Sequence, residues 1–234
     1  SQTAVWADFN NDGWLDVFIG NESAVTGVFN PCELYLNNTD GTFTEVAAQS
    51  GLTLSDSASN LQYIVKGVAA ADVDSDGWTD LFVGSRGEGN FLLKNRGVAG
   101  GKVPVFEDVT EASGINPFDK TFSCWFWDYN NDGHPDLLVS GFHTWSAGEG
   151  KSISEDFARK QAGLPHQATA GLLYQNQGDG TFAEVSGEEG LDKILYMMGG
   201  NFGDVDNDGW QDFYSGTGDP DLRSGIPNRM FRFH

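Results

Sequence analysis

Four nine-residue stretches place oxygen donors at alternate positions: DFNNDGWLD (8–16), DVDSDGWTD (72–80), DYNNDGHPD (128–136) and DVDNDGWQD (204–212). Their shared form is D-x-[DN]-x-D-G-x-x-D. It turns the side chains of positions one, three, five and nine toward one pocket, with glycine at position six for the sharp turn. A pocket of hard oxygens suits Ca2+, which takes about six to eight oxygen ligands at about 2.3–2.6 Å. The candidate side-chain ligands are Asp8, Asn10, Asp12 and Asp16; Asp72, Asp74, Asp76 and Asp80; Asp128, Asn130, Asp132 and Asp136; and Asp204, Asp206, Asp208 and Asp212. Position seven, occupied by Trp14, Trp78, His134 and Trp210, is expected to ligate through its backbone carbonyl. About four Ca2+ ions are therefore expected, one per loop. Asp, Asn and Gly clusters are also ordinary turn chemistry, but four copies, each followed by an apolar run, are more than chance turns produce. The second and fourth loops carry an additional carboxylate, and charge count ranks them above the other two.

The flanks decide which kind of loop this is. An EF-hand needs a bidentate Glu at position twelve and a helix on either side. Position twelve here is Ile19, Val83, Val139 and Ser215, and none offers a carboxylate. The loops lead into VFIG (17–20), LFVG (81–84), LLVSG (137–141) and FYSG (213–216), short β-branched or aromatic runs closed by glycine, which read as strands. The preceding AVWA (4–7), GVAAA (67–71), SCWFW (123–127) and GGNFG (199–203) read as strands too. Each loop is therefore the turn of a β-hairpin.

Successive loops begin 64, 56 and 76 residues apart. Between them lie ELYLNNTDGTFTEVAAQSGL (33–52), FLLKNRG…VFEDVTEASGI (91–115) and LLYQNQGDGTFAEVSGEEGL (172–191). Each reads strand, polar turn, strand, then a short segment ending in Gly-Leu or Gly-Ile. Four short antiparallel strands per unit, repeated, predict an all-β fold of the β-propeller type, each blade burying its faces against its neighbours. The blades are expected at about 1–52, 61–115, 119–191 and 196–234, the last without its outer strand. We expect this to be one propeller domain or part of a larger propeller, completed by the rest of a longer chain or by another copy.

These units resemble the FG-GAP/VCBS calcium repeats of integrin-α-type β-propellers. The phrases LYLNNTDGTFTEVAAQSGL and NFGDVDNDGWQDFYSGTGDPDLRSGIPNRMF are most similar to secreted bacterial UnbV/ASPIC-type and cartilage-acidic-protein-like repeat proteins. The resemblance covers essentially the whole chain. It implies a calcium-bound propeller, commonly of about seven blades, outside the cytoplasm: secreted, at the cell surface or periplasmic. It implies no established enzymatic reaction. The chain departs from the pattern at Asn10 and Asn130, where Asp is usual, at His134–Pro135 in place of the Trp-containing pair, and at MFRFH (230–234), where an Asn would follow the aromatic-basic pair.

Composition narrows the partners. The formal net charge is −21 with 34 acidic and 13 basic residues. The basic residues form no cluster, which argues against nucleic acid and against an anionic membrane surface. No stretch approaches the ~20 apolar residues of a membrane span. Cys32 and Cys124 fall in different blades and read as two free, partly buried thiols, a disulfide being the less favoured alternative. Millimolar extracellular calcium suits such loops.

Other residues carry two readings each. Trp14, Trp78 and Trp210 recur once per blade, either as stacking platforms for sugars or as rings packed over the adjacent turn, the second being favoured. The irregular segment 141–171 reads as an insertion with a short helix at Asp156–Gln161, capped by Ser154. His143, Trp145 and His166 could line a site there, or the segment could simply cover a blade edge. The His134 ring is expected to face solvent rather than a metal. No nucleophile elbow, zincin helix or Cys/His pair in a recognisable context is present, and Glu88, Glu107, Glu111, Glu184, Glu188 and Glu189 read as solvated. The function these features favour is a non-enzymatic, calcium-stabilised extracellular recognition or adhesion module for a protein or glycan. The alternatives are a carbohydrate-active enzyme akin to propeller polysaccharide lyases and a purely structural scaffold of a larger secreted protein.

Overall fold

Each nine-residue loop joins two strands, as their apolar runs dictate. The computed structural model describes residues 3–23, 30–54, 64–85, 89–98, 100–116, 121–141, 153–166, 170–193, 197–217 and 227–234. The first sheet comprises β1 (Thr3–Ala7), β2 (Asp16–Gly20), β3 (Glu33–Asn37) and β4 (Phe43–Glu45), followed by a single helical turn, α1 (Ala47–Ser50). The second comprises β5 (Val65–Ala71), β6 (Asp80–Ser85), β7 (Phe91–Val98) and β8 (Pro104–Asp108). The third comprises β9 (Thr121–Trp127) and β10 (Asp136–Gly141), then the helix α2 (Ile153–Gln161), then β11 (Leu172–Asn176) and β12 (Phe182–Glu184). The fourth has three strands among the described residues, β13 (Met197–Gly203), β14 (Asp212–Thr217) and β15 (Arg229–Phe231). Every sheet is an antiparallel meander in chain order, so the described residues form four blades of an all-β propeller.

Stacking explains the composition of each strand. β6 and β10 are buried along their whole length because both faces of their blades meet a neighbour, and their centres, LFV (81–83) and LLV (137–139), are accordingly apolar without alternation. β1 alternates between half-buried and exposed residues, since one face of the first blade is open. The innermost strands pack in the order β1, β5, β9, β13, and among the described residues no comparable contact returns from β13 to β1. Three cores fill the spaces between blades. Phe9, Phe18, Leu34, Leu81 and Val83 belong to the first, Phe82, Leu92, Leu137 and Tyr174 to the second, and Trp127, Leu138, Leu173 and Phe213 to the third.

The glycines that close the second strands have a packing reason. A Cβ on Gly20 would stand 2.5 Å from Val65 Cγ1, and one on Gly84 would stand 2.4 Å from Thr121 Cγ2. Only glycine lets the first strand of the next blade approach so closely. The Gly-Leu and Gly-Ile endings act as plugs: Leu52, Ile115 and Leu191 are buried in blade cores. Cys32 and Cys124 are both free and buried, more fully enclosed than the sequence led us to expect.

The insertion forms a helix that begins earlier than expected, so Ser154 lies inside α2 rather than capping it. Arg159 pairs with Glu155 one turn away at 2.9 Å. Lys160 donates to the Asp192 carbonyl, and Arg229 of β15 lies over the Phe157 ring at 5.8 Å. The helix thus leans on the junction of the third and fourth blades. His166 is exposed, whereas His143 and Trp145 lie outside the described residues.

Candidate metal centres

All four loops close by the same hydrogen bonds. The position-one carboxylate accepts the backbone N–H groups of positions five and six. In the second loop Asp76 N–H donates to Asp72 Oδ1 at 3.1 Å and Gly77 N–H to Oδ2 at 2.8 Å, and the same pair recurs on Asp8, Asp128 and Asp204. The position-five carboxylate accepts the N–H of position seven, at 2.9 to 3.0 Å for Trp14, Trp78, His134 and Trp210. Position four takes the left-handed conformation at Asn11, Ser75, Asn131 and Asn207, and position six does so at glycine. This compact turn is what the D-x-[DN]-x-D-G spacing requires.

Position nine does two things at once. Asp16, Asp80, Asp136 and Asp212 are at most 1% exposed. Each accepts one N–H from the start of its loop and one from the third strand or the residues just after it. Asp80 takes Val73 N–H at 3.1 Å and Asn95 N–H at 2.7 Å. Asp16 takes Phe9 and Asn37, Asp136 takes Tyr129 and Asn176, and Asp212 takes Val205 and Phe233. The carboxylate staples the hairpin to the rest of its blade. Burial pushes the Asp80 carboxyl up to about 6 and that of Asp136 up to about 7, and it raises Asp16. The two N–H donors oppose the rise, and the carboxylates at positions one and five add to it. A cation in the pocket would oppose the rise by favouring the ionised carboxylate.

The chemistry of the donor set fits a divalent cation. Carboxylate oxygens of Asp72, Asp74 and Asp80 lie within 4.8 Å of one another, as do those of Asp204, Asp206 and Asp208. Asp74 Oδ1 is buried with no hydrogen-bond partner, the state of an oxygen that lacks its cation. In the first and third loops the amide of Asn10 or Asn130 donates to the position-five carboxylate, at 3.1 and 2.8 Å. Where the third carboxylate is missing, the amide N–H partly neutralises the pocket.

The loops also bind the blades together. Asn11 Nδ2 donates to the Gly77 carbonyl at 2.8 Å, and Asn131 Nδ2 to the Gly209 carbonyl at 2.8 Å. Behind them Asn95 Nδ2 donates back to Phe9 O at 2.8 Å, and Asn176 Nδ2 to Val73 O at 2.8 Å. The sequence signal for these asparagines is the recurrent Asn that closes LYLN, LLKN and LYQN. In the fourth blade Phe233 stands at that place, and its ring packs on Tyr129 at 5.5 Å instead.

The position-seven rings lie over turns. A Cβ on Gly97 would meet the Trp78 ring at 2.8 Å, and one on Gly178 would meet the His134 ring at 2.7 Å. The His134 ring is therefore half-buried against Gly178, with Nδ1 enclosed and unpartnered. This corrects the expectation of a solvent-facing ring: glycine in the adjoining turn opens a seat for it. In the first blade Thr39, with φ +66°, occupies the equivalent place, and Trp14 is 51% exposed. Glu107, Glu111, Glu184, Glu188 and Glu189 are exposed, as expected, and Glu88 lies outside the described residues.

A family model described as an FG-GAP-like repeat matches residues 8–83 and 72–139, each match opening on the first aspartate of a loop. Among solved structures, the chain is similar to an Agrocybe aegerita lectin described as specifically recognising non-reducing terminal N-acetylglucosamine. The identity is 17% and the TM-score 0.44, over 91% of this chain and 46% of the lectin. The chain thus spans about half the length of that protein.

Proposed function

The chain belongs to the FG-GAP-like repeat family, and from that premise we propose that it is a calcium-stabilised extracellular recognition module without enzymatic activity, binding a protein or a glycan. The observation that carries this reading is the convergence of carboxylates in loops of one geometry, with Asp74 Oδ1 buried and unpartnered. Calcium would be held by the side chains of positions one, three, five and nine and by the carbonyls of Trp14, Trp78, His134 and Trp210. It would supply charge neutralisation. The chain's own residues do the rest: position nine fixes each hairpin to its blade, and the asparagine bonds fix each blade to the next, so that a rigid surface is presented. An extracellular, cell-surface or periplasmic setting provides calcium at the millimolar level such loops use.

The likeness of these repeats to UnbV/ASPIC-type repeat proteins belongs to the same proposal, as does completion of the propeller by further blades or another copy. The two outer faces support that completion. Trp6 is 57% exposed on the first blade, and Tyr214 and Met230 are 42% and 48% exposed on the last, on neighbouring strands in register.

Melting curves with and without chelator test the metal. Calcium at a hundredfold excess over Kd stabilises by about 2.7 kcal/mol per site, so EDTA is expected to lower the midpoint strongly, and an unmoved midpoint overturns the calcium reading. A glycan array with and without EDTA tests recognition. Calcium-dependent retention supports a glycan ligand. New unsaturated ends on uronic-acid polysaccharides would replace the module with a lyase.

A further inference from the structure

The second and fourth loops each carry a basic side chain where the first and third have none. The residue before the one whose N–H pairs with the position-nine aspartate is Leu36, Lys94, Gln175 and Arg232 in the four blades. Lys94 forms ion pairs with Asp74 and, at 3.3 Å, with Asp76. Arg232 pairs with Asp206. Asp74 and Asp206 are the position-three residues, and Asn stands there in the two loops that face Leu36 and Gln175. This cation therefore accompanies the additional carboxylate. Four carboxylates less one cation leave the second and fourth loops with three net negative charges. The three carboxylates of the first and third loops give the same value.

We propose that Lys94 and Arg232 are tethered counter-cations of the second and fourth metal centres. They hold the position-three carboxylate in the metal-free protein and lower the calcium affinity of these two loops toward that of the others. The proposal rests on the calcium reading above. It replaces the ranking by carboxylate count, because calcium entering these loops exchanges one cation for another. Asp74 Oδ1 is the oxygen left over: the ammonium satisfies Oδ2 and not its partner.

The test is Lys94→Met, with Lys94→Gln as a second neutral variant and Arg232→Gln as an independent report on the fourth loop. A unit positive charge about 4–5 Å from a divalent ion opposes it even in a water-like dielectric by enough to change affinity about tenfold or more. Competition against a chromophoric chelator should thus show one site of Lys94→Met binding calcium about tenfold tighter. In EDTA the same variant should melt below the wild type, because the carboxylates of Asp72, Asp74 and Asp76 lose their counter-charge. The double variant Asp74→Asn/Lys94→Met rebuilds the arrangement of the first loop and should recover the EDTA midpoint. If the wild type binds calcium while Lys94→Met and Arg232→Gln bind it equally or more weakly, the inference fails and the calcium reading stands. If the wild type takes up no calcium, both fail.

Discussion

Acidifying the calcium-free protein from about pH 7.5 to about pH 5 is expected to stabilise it. Asp80 and Asp136 are buried, and their carboxyls sit at about 6 and about 7 in the folded chain against 3.8 outside it. Between those values the folded state holds more protons than the unfolded one, so stability falls as pH rises. The contribution is complete below 3.8 and is lost as pH passes through about 6 for Asp80 and about 7 for Asp136. Linkage gives about 1 kcal/mol for Asp80 and about 3 kcal/mol for Asp136 between the two pH values, together about 4 kcal/mol. For a chain of this size that moves the melting midpoint upward by roughly 8–16 °C on acidification. The groups held low by threonine or lysine partners, Asp40, Asp179 and Asp192, act below 3.8 and leave this window untouched. The assay is a pair of melting series in EDTA and in millimolar calcium. In calcium the dependence should vanish or reverse, because the ion favours the ionised carboxylates. A metal-free protein whose midpoint is flat or rises from about pH 5 to about pH 7.5 refutes the burial argument.

Two further substitutions test the framework. Asn95→Ala removes the bonds to Phe9 O, Thr79 O and Gly97 N at a buried position, and should destabilise by about 2–5 kcal/mol by urea titration. A loss under about 0.5 kcal/mol would mean the second blade does not depend on this tie to the first. Thr39→Gly relieves a left-handed β-branched residue and opens the seat that Gly97 and Gly178 provide for the rings of Trp78 and His134. It should stabilise by about 0.5–1 kcal/mol and blue-shift the Trp14 emission, and unchanged emission would contradict the account of why Trp14 is exposed.

Much of this was legible in the order of residues. The missing carboxylate at position twelve and the glycine-closed runs after position nine identify the loops as hairpin turns, and the fold bears that out at Asp16–Gly20, Asp80–Ser85, Asp136–Gly141 and Asp212–Thr217. The Gly-Leu endings mark buried plugs. What escaped depended on register between distant segments. Asn95 meets Phe9 across 86 residues, a contact fixed only once two blades are stacked. Lys94 reaches Asp74 because the third strand lies beside the loop, and a lysine in a strand sequence looks like any solvated charge. Trp14 and Trp78 are alike in sequence, yet they differ in exposure with a turn some twenty residues later, where Thr39 stands in one blade and Gly97 in the other.

Equilibrium dialysis against buffered calcium, with metal analysis of the protein, tests the central claim most directly. About four calcium ions per chain are predicted, with one fewer after Asp72→Asn/Asp76→Asn, which removes two of the four carboxylates that would hold the ion in the second loop. A wild-type protein that emerges with no calcium above the buffer would contradict the assignment of these loops as metal centres.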